Sequence, residues 1–438
     1  MESLYQHFTQ LLTANYQPQT KVVLAFSGGV DSRLLLALLS RYQRDHAIPC
    51  QTVYIHHGLS GNADDWAEKC KAWANQAGVL HSTEYVHLDI NSGESIELLA
   101  REARYQVLAK YIESGDLLLT GQHADDQIET FLLALKRGSG PKGLSCMAES
   151  APFSAGTLVR PLLTTRREQI EAIAQSLQLE WVEDESNQDT RYDRNFLRHH
   201  VVPELSQRWS SIHQAVQRSA SLCAQQETLL DELLNDVFCR ALQTDLSLDI
   251  AELASHSELA RARLIRMWLA QQNAQMPTQV QLGLIWKEVA LARQDANPQL
   301  KLKQGEVRRF QNKLYWVCDK PDVSGWQGHI QVNSPLVLPA NFGELTLSTT
   351  TKQPTIALPA QPELLNVTFN PEGLSAHPTT RNHSRKLKKL FQEYHVPSWL
   401  RRQIPILMYQ EQVVAVADLF VDKAFSGQDC ELIWRKVL

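Results

Sequence analysis

Two adjacent glycines, two serines and an aspartate stand together in the stretch AFSGGVDS, residues 25–32. The stretch lies between the apolar run KVVL and the helix-like run RLLLALLSRY. A glycine pair between a buried strand and a helix lets the backbone turn tightly and aim successive N–H groups into one concavity. The partial positive charge of the helix N-terminus adds to that field, so the stretch predicts a phosphate-binding loop.

The polar side chains of this loop suit a nucleotide. Two hydroxyls can donate hydrogen bonds to phosphates, and Asp31 could hold a Mg²⁺ ion that bridges them. The alternative is a tight turn in which Ser32 or Asp31 caps the helix. The loop lacks GK[ST] and is therefore not a Walker P-loop. We expect the nucleotide to bind at Ser27, Gly28, Gly29, Val30, Asp31 and Ser32.

A second group of acids follows another apolar run, in TGQHADDQIETF. On a helix that starts near Ala124, Asp125 and Asp126 lie in the first turn and Glu129 one turn later. Glu129 is typical of an acid that complements the helix dipole. At the end of a strand opposite the phosphate loop, at least one aspartate is expected to bind Mg²⁺ or activate a nucleophile. Asp126 is favoured over Asp125, and Asp31 and Asp126 are the expected metal ligands.

His56 and His57 follow a third apolar run, TVYI. They are candidates for closing over the nucleotide, and the alternative that they only fill the edge of the sheet stays open. Zinc binding is not indicated, because neither partner cysteines nor an HxxxH spacing accompanies them.

These residues need a scaffold that brings them together. KVVLAF, TVYIHH and DLLLTG are typical strands, whereas SRLLLALLSRY, DDWAEKCKAWANQAG and SIELLAREARYQVLAKYI are typical amphipathic helices. Alternation of strand and helix predicts an α/β fold with a Rossmann-like parallel sheet and right-handed crossovers. Ligands bind such sheets at the carboxyl ends of the strands, so all three groups should lie on one rim.

The remainder predicts two further domains. From about residue 209 the chain is strongly helical, and KLKQGEVRRFQNKLYWVC then alternates as strands do. Prolines at 354, 359, 362 and 371 suggest a linker before a small α/β C-terminal domain. The expected domains are 1–208, 209–350 and 361–438.

Composition limits the class of protein. The 438 residues suffice for two or three domains, and 43% hydrophobic and 21% charged residues are ordinary for a globular chain. The formal charge of −5 requires any nucleic acid to bind through local basic patches. The start MESLYQHFTQLL is not typical of a secretory signal, and no apolar run has membrane-spanning length. Seven scattered cysteines favour a reducing cytoplasm.

The loop SGGVDS resembles that of the N-type ATP pyrophosphatases, the PP-loop superfamily. With HHGLS, AREARY, HADDQIETFLLALKRGSGPKGL, RPLL and DESNQDTRYDRNFLR in this order, the chain resembles the tRNA(Ile)-lysidine synthetase family nearly end to end. The resemblance implies that ATP adenylates O2 of cytidine 34 in a minor isoleucine tRNA with a CAU anticodon. The amine of free L-lysine then displaces AMP to give lysidine.

The resemblance also implies which residues contact the substrate. Arg101 and Arg104 share a helical face, and the amide-rich and arginine-rich stretches add further donors. The chain departs from the family pattern at Arg33, where a small residue is expected, and at Gln122, where many relatives carry histidine. The expected substrate-binding residues near the catalytic rim are Arg101, Arg104, Arg137, Asn187, Asn195 and Arg198.

A basic stretch near the C-terminus, TRNHSRKLKKLFQEYHVPSWLRR, holds seven Lys or Arg against one Glu. Helical spacing would turn its leucines and Phe391 to the core and leave the cations outward. In the family such a domain contacts the tRNA acceptor stem, and the middle domain also contacts tRNA. The expected phosphate-contacting residues are Arg385, Lys386, Lys388 and Lys389.

Other functions fit less well. A tRNA thiolase uses the same adenylation but usually needs paired cysteines, and Cys146 stands alone in GLSCMAE. GMP and asparagine synthetases need a glutamine-hydrolysing domain. A non-catalytic RNA-binding protein would have no reason to keep an intact SGGVDS loop. The sequence leaves open a homodimer and the lysine-binding residues.

Overall fold

The computed structural model describes residues 1–17, 19–89, 93, 95–293, 296–318, 321–351 and 355–436. The chain divides into two compact units, Met1–Leu233 and Leu234–Leu438. In the part of the chain described, no helix is both long and apolar enough to cross a membrane.

The first unit contains the predicted parallel sheet, with six strands in the order β3-β2-β1-β4-β6-β5. The first five of these pair in parallel, and the edge strand β5 pairs with β6 in the antiparallel sense. The strands are β1 (Val22–Ala25), β2 (Cys50–His56), β3 (Leu80–Tyr85), β4 (Leu117–Leu119), β5 (Ser150–Phe153) and β6 (Gly156–Val159).

Helices cover both faces of this sheet. The three predicted helices are present as α2, α3 and α4, and a π-helical turn, Leu197–Val201, joins α8 to α9. The helices are α1 (Glu2–Asn15), α2 (Val30–His46), α3 (Ala63–Gln76), α4 (Ile96–Ala109), α5 (Ala124–Lys136), α6 (Pro141–Leu144), α7 (Arg167–Ser176), α8 (Asp193–Phe196), α9 (Val202–Arg208) and α10 (Ile212–Ala241).

Side-chain alternation along β1 explains the layers, since successive residues of a strand point to opposite faces. Val22 and Leu24 belong to one buried core, together with apolar residues of α1, α2, α3 and α7. Val23 belongs to a second core, with Leu118 of β4 and Leu108 of α4. Both faces of the strand are buried, which is why KVVL has no polar alternation.

The second unit begins with helices packed on an antiparallel sheet of order β7-β10-β9-β8. The helical texture after residue 209 and the strand texture of KLKQGEVRRFQNKLYWVC are both confirmed. The helices are α11 (Ile250–Ala254), α12 (Glu258–Gln271) and α13 (Gln279–Leu284), and a π-helical turn follows at Ile285–Ala290; the strands are β7 (Leu248–Asp249), β8 (Gln299–Leu302), β9 (Gly305–Phe310) and β10 (Lys313–Cys318).

The rest of the second unit is mainly β-structure, in sheets of order β11-β14-β17-β18-β19, β12-β13-β20 and β15-β16. One helix, α14, packs within it. The elements are β11 (Gln327–His329), β12 (Leu336–Val337), β13 (Glu344–Ser348), β14 (Leu365–Thr368), β15 (Ser375–Ala376), β16 (Arg385–Lys386), α14 (Leu387–Glu393), β17 (Ile406–Tyr409), β18 (Gln412–Val416), β19 (Phe420–Val421) and β20 (Glu431–Arg435).

The strand pairing crosses the domain boundary that the prolines suggested. β11 pairs with β14, and β13 pairs with β20, so residues 327–348 share sheets with the C-terminal strands. Prolines interrupt local secondary structure, but they do not decide which strands pair across the chain. Pro354 lies outside the described residues.

Candidate active site

The three loops with candidate residues lie on one rim of the sheet. They follow β1, β2 and β4, which are parallel neighbours, so the shared rim is confirmed. The loop after β4 approaches α2 closely, since a Cβ atom on Gly121 would lie 3.1 Å from the Cβ of Asp31. The two acidic groups predicted from sequence therefore face one another across this rim.

The glycine loop has the conformation that its composition suggests. Gly28 has φ +81°, and a Cβ there would lie 2.8 Å from Cys70 Sγ and 2.9 Å from Val182 Cγ2. Gly29 is the N-cap of α2, and no side chain among the described residues caps this helix. Capping by Ser32 or Asp31, the structural alternative, is therefore wrong, and the first N–H groups of α2 remain available to an anion.

The two loop serines lie beside one another. Ser32 Oγ donates to the Gly29 carbonyl at 2.9 Å and lies 3.3 Å from Ser27 Oγ. Ser27 is exposed, whereas Ser32 and Val30 are buried. The loop thus has one exposed hydroxyl and an open helix end on the same side as the rim.

Asp31, in the first turn of α2, is held by a residue from a distant part of the chain. Its Oδ2 accepts a 2.8 Å hydrogen bond from Arg167 Nη1. Its Oδ1 is buried and has no hydrogen-bond partner in the described structure, with His123 Nε2 at 3.9 Å. Burial raises the pKa of the Asp31 carboxyl, and the positive charges of His123 and Arg167 only partly oppose this.

His123, at the start of α5, lies among three carboxylates. Its ring nitrogens are each 3.5 Å from a carboxylate oxygen, of Asp125 and of Asp126, and its backbone N–H donates to Asp126 Oδ2 at 3.0 Å. Burial lowers the pKa of His123, but the hydrogen bond with Asp125 and the charges of Asp126 and Asp31 outweigh it and raise the pKa above the ordinary value.

Asp125 is saturated with hydrogen bonds. Its Oδ1 accepts from His213 Nε2 at 2.9 Å, and its Oδ2 accepts from the Arg167 backbone N–H at 2.8 Å. Burial favours the neutral acid, but hydrogen bonds from His123, His213 and Arg167 prevail and hold the pKa of Asp125 well below its usual range. Asp125 is therefore ionised, and its hydrogen bonds connect the starts of α5, α7 and α10.

Asp126 and Glu129 bind arginines of the segment that follows α7. Arg198 donates to Asp126 Oδ1 at 3.1 Å and to Glu129 Oε1 at 2.8 Å, and Arg194 Nε donates to Glu129 Oε2 at 2.8 Å. Glu129 is fully buried. The interpretation of Glu129 as a helix-dipole complement is therefore wrong, because its charge is balanced by two guanidinium groups and not by the helix end.

Asn195 and Asn187 lie in the segment that carries these arginines. The Asn195 amide donates to the carbonyls of Ser186 and Asp189, both at 3.0 Å, so it is engaged within its own segment. Asn187 has an exposed side chain, and its carbonyl lies 2.8 Å from His199 Nε2. Of the expected substrate contacts here, Asn195 and Arg198 are occupied by the protein itself.

The histidine pair after β2 occupies the same rim. His56 Nε2 lies 3.2 Å from Asp64 Oδ1, and its ring centroid is 4.8 Å from that of Tyr85. His57 is half-buried, and burial together with the positive charge of Arg104 lowers its pKa to about 4. His57 is therefore neutral near pH 7.

The other expected contacts are exposed cations. Arg101 and Arg104 lie on α4, with the Arg101 guanidinium 5.4 Å from the Tyr105 ring centroid. Arg137 follows α5 and is also exposed. None of the three has a hydrogen bond or ion pair to the carboxylate cluster in the described residues.

The two departures from the family pattern have structural explanations. Arg33 is buried, donates to the Glu180 carbonyl at 2.7 Å and lies 4.4 Å from the Trp73 ring centroid. It thereby attaches α2 to the segment whose Val182 N–H donates to the Gly28 carbonyl. Gln122 Oε1 accepts a 2.5 Å hydrogen bond from Thr120 Oγ1.

The basic stretch lies in the second unit and differs in part from its predicted helix. Arg385 and Lys386 form the short strand β16, whereas Lys388 and Lys389 belong to α14; all four are exposed. Leu387, Leu390 and Phe391 are fully buried, as the helical spacing predicted.

Sequence reasoning missed three residues that complete the cluster: Arg167, His123 and His213. His123 stands directly before the acids in HADD, and this position was the one available signal. Arg167 lies 136 positions from Asp31, and His213 lies 88 from Asp125, so no spacing rule could connect them.

A preformed metal cage is absent from the described residues, which contain no group of three or more His, Cys, Asp or Glu arranged to hold an ion. Mg²⁺ needs no such cage, because it is usually held by one or two carboxylates together with phosphates and water. The buried, unpartnered Oδ1 of Asp31 fits that role.

Three family profiles match the chain. Residues 1–205 match a PP-loop domain, residues 248–315 match the TilS substrate binding domain, and residues 365–437 match the TilS substrate C-terminal domain. Together they cover both units.

Full-length relatives are similar from end to end. A protein of Vibrio parahaemolyticus named tRNA(Ile)-lysidine synthase is 76% identical, and one of Vibrio campbellii with the same name is 74% identical. In both cases the alignment covers 100% of each chain. A third, from Vibrio atlanticus, is 52% identical over 100% of each chain.

Proposed function

The chain belongs to the tRNA(Ile)-lysidine synthase family, and on that premise we propose how its own residues carry out the reaction. The enzyme uses ATP to join free L-lysine to C2 of cytidine 34, in the CAU anticodon of an isoleucine tRNA. The products are lysidine in the tRNA, AMP and pyrophosphate.

The order of steps follows from the chemistry of the base. The C2 carbonyl of cytidine is a poor electrophile, so O2 first attacks the α-phosphate of ATP and releases pyrophosphate. The lysine amine then attacks C2, and AMP leaves with the oxygen. One bond to phosphorus forms and one breaks in the first step; in the second, a C–N bond replaces a C–O bond.

The open end of α2 supports binding of the departing pyrophosphate. The N–H groups after Gly29 have no side-chain cap in the described structure, and the exposed hydroxyl of Ser27 lies beside them. Backbone donors and the helix dipole stabilise charge that grows on the leaving group. His56 and the neutral ring of His57 are on the same rim and can cover the nucleotide.

Mg²⁺ would be held by Asp31 and Asp126, and it would neutralise phosphate charge. The open Oδ1 of Asp31 supports this assignment, and Arg167 on the other oxygen fixes the direction of the carboxylate. Asp126 faces the same histidine ring as Asp31.

Asp126 is the better candidate for the aspartate that acts on substrates, and Asp125 for the one that positions it. Asp125 accepts hydrogen bonds from three donors and its low pKa makes it a weak base. Asp126 meets one guanidinium, from Arg198, which an incoming charged substrate can replace. The lysine amine is protonated near pH 7 and must lose that proton before attack.

Substrate RNA would be bound by exposed donors around the rim and by the basic surface of the second unit. We assign the anticodon region to Arg101, Arg104, Arg137 and Asn187, while Asn195 and Arg198 contribute by ordering the segment. Arg385, Lys386, Lys388 and Lys389 would contact phosphates elsewhere on the tRNA. The free thiols support action in a reducing cytoplasm. A homodimer remains a prediction, which sedimentation would test.

The open α2 terminus facing Asp31 and Asp126 carries the proposal, and lysine incorporation tests it. The protein is incubated with ATP, bulk tRNA and labelled lysine, and the digested RNA is analysed for a modified cytidine. We expect label in RNA and one pyrophosphate per lysine. Asp31→Asn should abolish both, because the loop loses its metal-binding carboxylate.

Other outcomes would favour the rivals. Sulfur in the RNA would indicate a thiolase, glutamine dependence would indicate an amidotransferase, and RNA binding without ATP turnover would indicate a binding protein. The thiolase is disfavoured because the described residues contain no group of cysteines that could hold a metal or a cluster.

A further inference from the structure

Two exposed aromatic side chains lie beside the candidate active site without a role in the mechanism above. Tyr192 precedes α8 and is 39% exposed, and Phe196 ends α8 and is 48% exposed. The ring of His200, also exposed, has its centroid 5.3 Å from that of Phe196. Phe196 and His200 lie side by side along the helical segment, and Tyr192 directly precedes its first residue.

The opposite face of the same helix binds the catalytic rim. Arg194 and Arg198 alternate with the aromatic residues and reach Glu129 and Asp126. Within α8, Arg194 and Phe196 are two residues apart, about 200° of rotation, which directs the Phe196 ring away from α5. A helix is about 10 Å across with its side chains, so the aromatic face lies within one nucleotide's reach of the carboxylates.

Several contacts hold this aromatic face in place. Lys136 Nζ binds Asp193 Oδ2 at 2.7 Å, and His199 and Asn195 bind backbone carbonyls of residues 186–189. The helix continues through a π-helical turn, a feature often found at functional sites. Exposed aromatic rings on a rigid support bind a ligand with little loss of side-chain entropy.

The chemistry of the reaction supplies an occupant for such a surface. Cytidine must leave its stack before O2 can reach the α-phosphate of ATP, and its neighbours then lose a stacking partner. Single-stranded RNA is generally bound by stacking of bases on aromatic side chains. Arg137 is exposed and follows Lys136, whose Nζ binds Asp193 in the first turn of α8.

Building on the proposed function, we propose that Tyr192 and Phe196 form the stacking surface for the nucleotide next to the target cytidine. Their rings replace the stacking lost when the target base turns towards Asp31 and Asp126. His200 supports the Phe196 ring from the following turn. These two aromatic residues thereby set the distance between the anticodon backbone and the rim, and they act as positioning residues for the adenylation step.

Fluorescence of a modified RNA hairpin tests this directly. The hairpin carries the CAU anticodon with 2-aminopurine in place of its adenine, whose fluorescence is quenched by stacking on an aromatic ring. Wild type should quench it on binding. Phe196→Leu and Tyr192→Leu keep apolar bulk but lose the ring, so they should quench less and bind the hairpin about five- to a hundredfold more weakly. Phe196→Trp should restore quenching.

A matched control separates a stacking role from general loss of structure. Tyr16 at the end of α1 is 40% exposed and Tyr192 is 39% exposed, so the two tyrosines are matched in exposure. Because Tyr16 lies outside the proposed surface, Tyr16→Leu should leave quenching and affinity unchanged. The salt dependence of binding should keep its slope in Phe196→Leu, because no phosphate contact is removed. A changed slope at unchanged quenching would overturn the proposal.

The outcomes also separate this inference from the proposed function. If wild type incorporates lysine while Phe196→Leu and Tyr192→Leu bind, quench and turn over as wild type does, the stacking surface is wrong and the ligase stands. If wild type incorporates no lysine but ring removal still abolishes quenching, the aromatic surface binds RNA and the proposed reaction fails.

Discussion

At the scale of residues, three neighbouring carboxylates are differentiated by their partners. Asp31 has one open, buried oxygen and a raised pKa, Asp125 has both oxygens occupied by hydrogen bonds, and Asp126 accepts hydrogen bonds from the Arg198 guanidinium and the His123 N–H. Identical side chains thus differ in how available their oxygens are to a ligand, because of burial and hydrogen bonding. These differences support the proposal that Asp31 and Asp126 hold the cation, that Asp126 also acts on substrates and that Asp125 positions it.

His57 should make the stability of the unliganded protein depend on pH. Its pKa is about 4 in the folded chain and ordinarily about 6.5 when unfolded, so folding favours the neutral ring. The stabilising contribution is complete above pH 6.5 and is lost as pH falls through 4. Between pH 7 and pH 5, wild type should lose about 1–2 kcal/mol more unfolding free energy than His57→Asn.

Thermal unfolding of the two proteins at both pH values measures this difference. His383→Asn, at an exposed position of the second unit, is the control and should follow wild type. If wild type and His57→Asn lost the same unfolding free energy between the two pH values, His57 would be solvated in the folded protein and would bind a proton freely.

At the scale of elements, the loop between β1 and α2 is shaped by contacts from outside it. The Val182 N–H donates to the Gly28 carbonyl at 3.0 Å, and Arg33 holds the neighbouring Glu180 carbonyl at 2.7 Å. The segment after α7 thus holds the loop in its conformation. The N–H groups of the first turn of α2 are left for a ligand, as an anion-binding site requires.

Gly28 and Gly29 should differ in their tolerance of alanine. At Gly28 a Cβ would require φ +81° and would overlap Cys70 Sγ and Val182 Cγ2, so Gly28→Ala should cost about 2–4 kcal/mol and weaken ATP binding. At Gly29 the nearest atom would be Ser27 Oγ at an ordinary 3.7 Å. Gly29→Ala should therefore fold like wild type.

Unfolding free energy and ATP affinity of both variants measure this contrast. Equal stability of Gly28→Ala and Gly29→Ala would mean that the loop relaxes without strain, and that its support by Cys70 and Val182 does not constrain it.

At the scale of the whole molecule, a net-acidic chain must concentrate its cations to bind RNA. A quadruple variant with glutamine at Arg385, Lys386, Lys388 and Lys389 should bind tRNA more weakly, and its binding should depend less steeply on salt concentration. Each lost phosphate contact removes roughly 0.7–0.9 from the slope of log K against log salt concentration. Arg385 also pairs with Glu393 at 2.6 Å, so its share should be the smallest.

Filter binding over a range of salt concentrations gives both the affinity and the slope. Lys69→Gln with Lys71→Gln removes two exposed cations from α3 and is the control for loss of positive charge outside the basic stretch. A quadruple variant with the affinity and slope of wild type would exclude this surface from tRNA binding.

Sequence alone determined much of the first unit. The apolar runs, the amphipathic periods and the glycine pair are local features, and backbone sterics and side-chain spacing translate them directly into strands, helices and a tight turn. The order of β1, β2 and β4 then placed Asp31, Asp126 and His57 on one rim, because parallel strands end on the same side.

Only the tertiary structure decided which partners the acidic side chains of this rim have. Asp31 receives Arg167, Asp125 receives His213, and Glu129 receives Arg194 and Arg198, all from segments far along the chain. Strand pairing likewise joined residues 327–348 to the C-terminal strands. Such partners depend on where separate elements meet in space, and burial and hydrogen bonding together shift the pKa of Asp31 and of Asp125, so no local pattern encodes them.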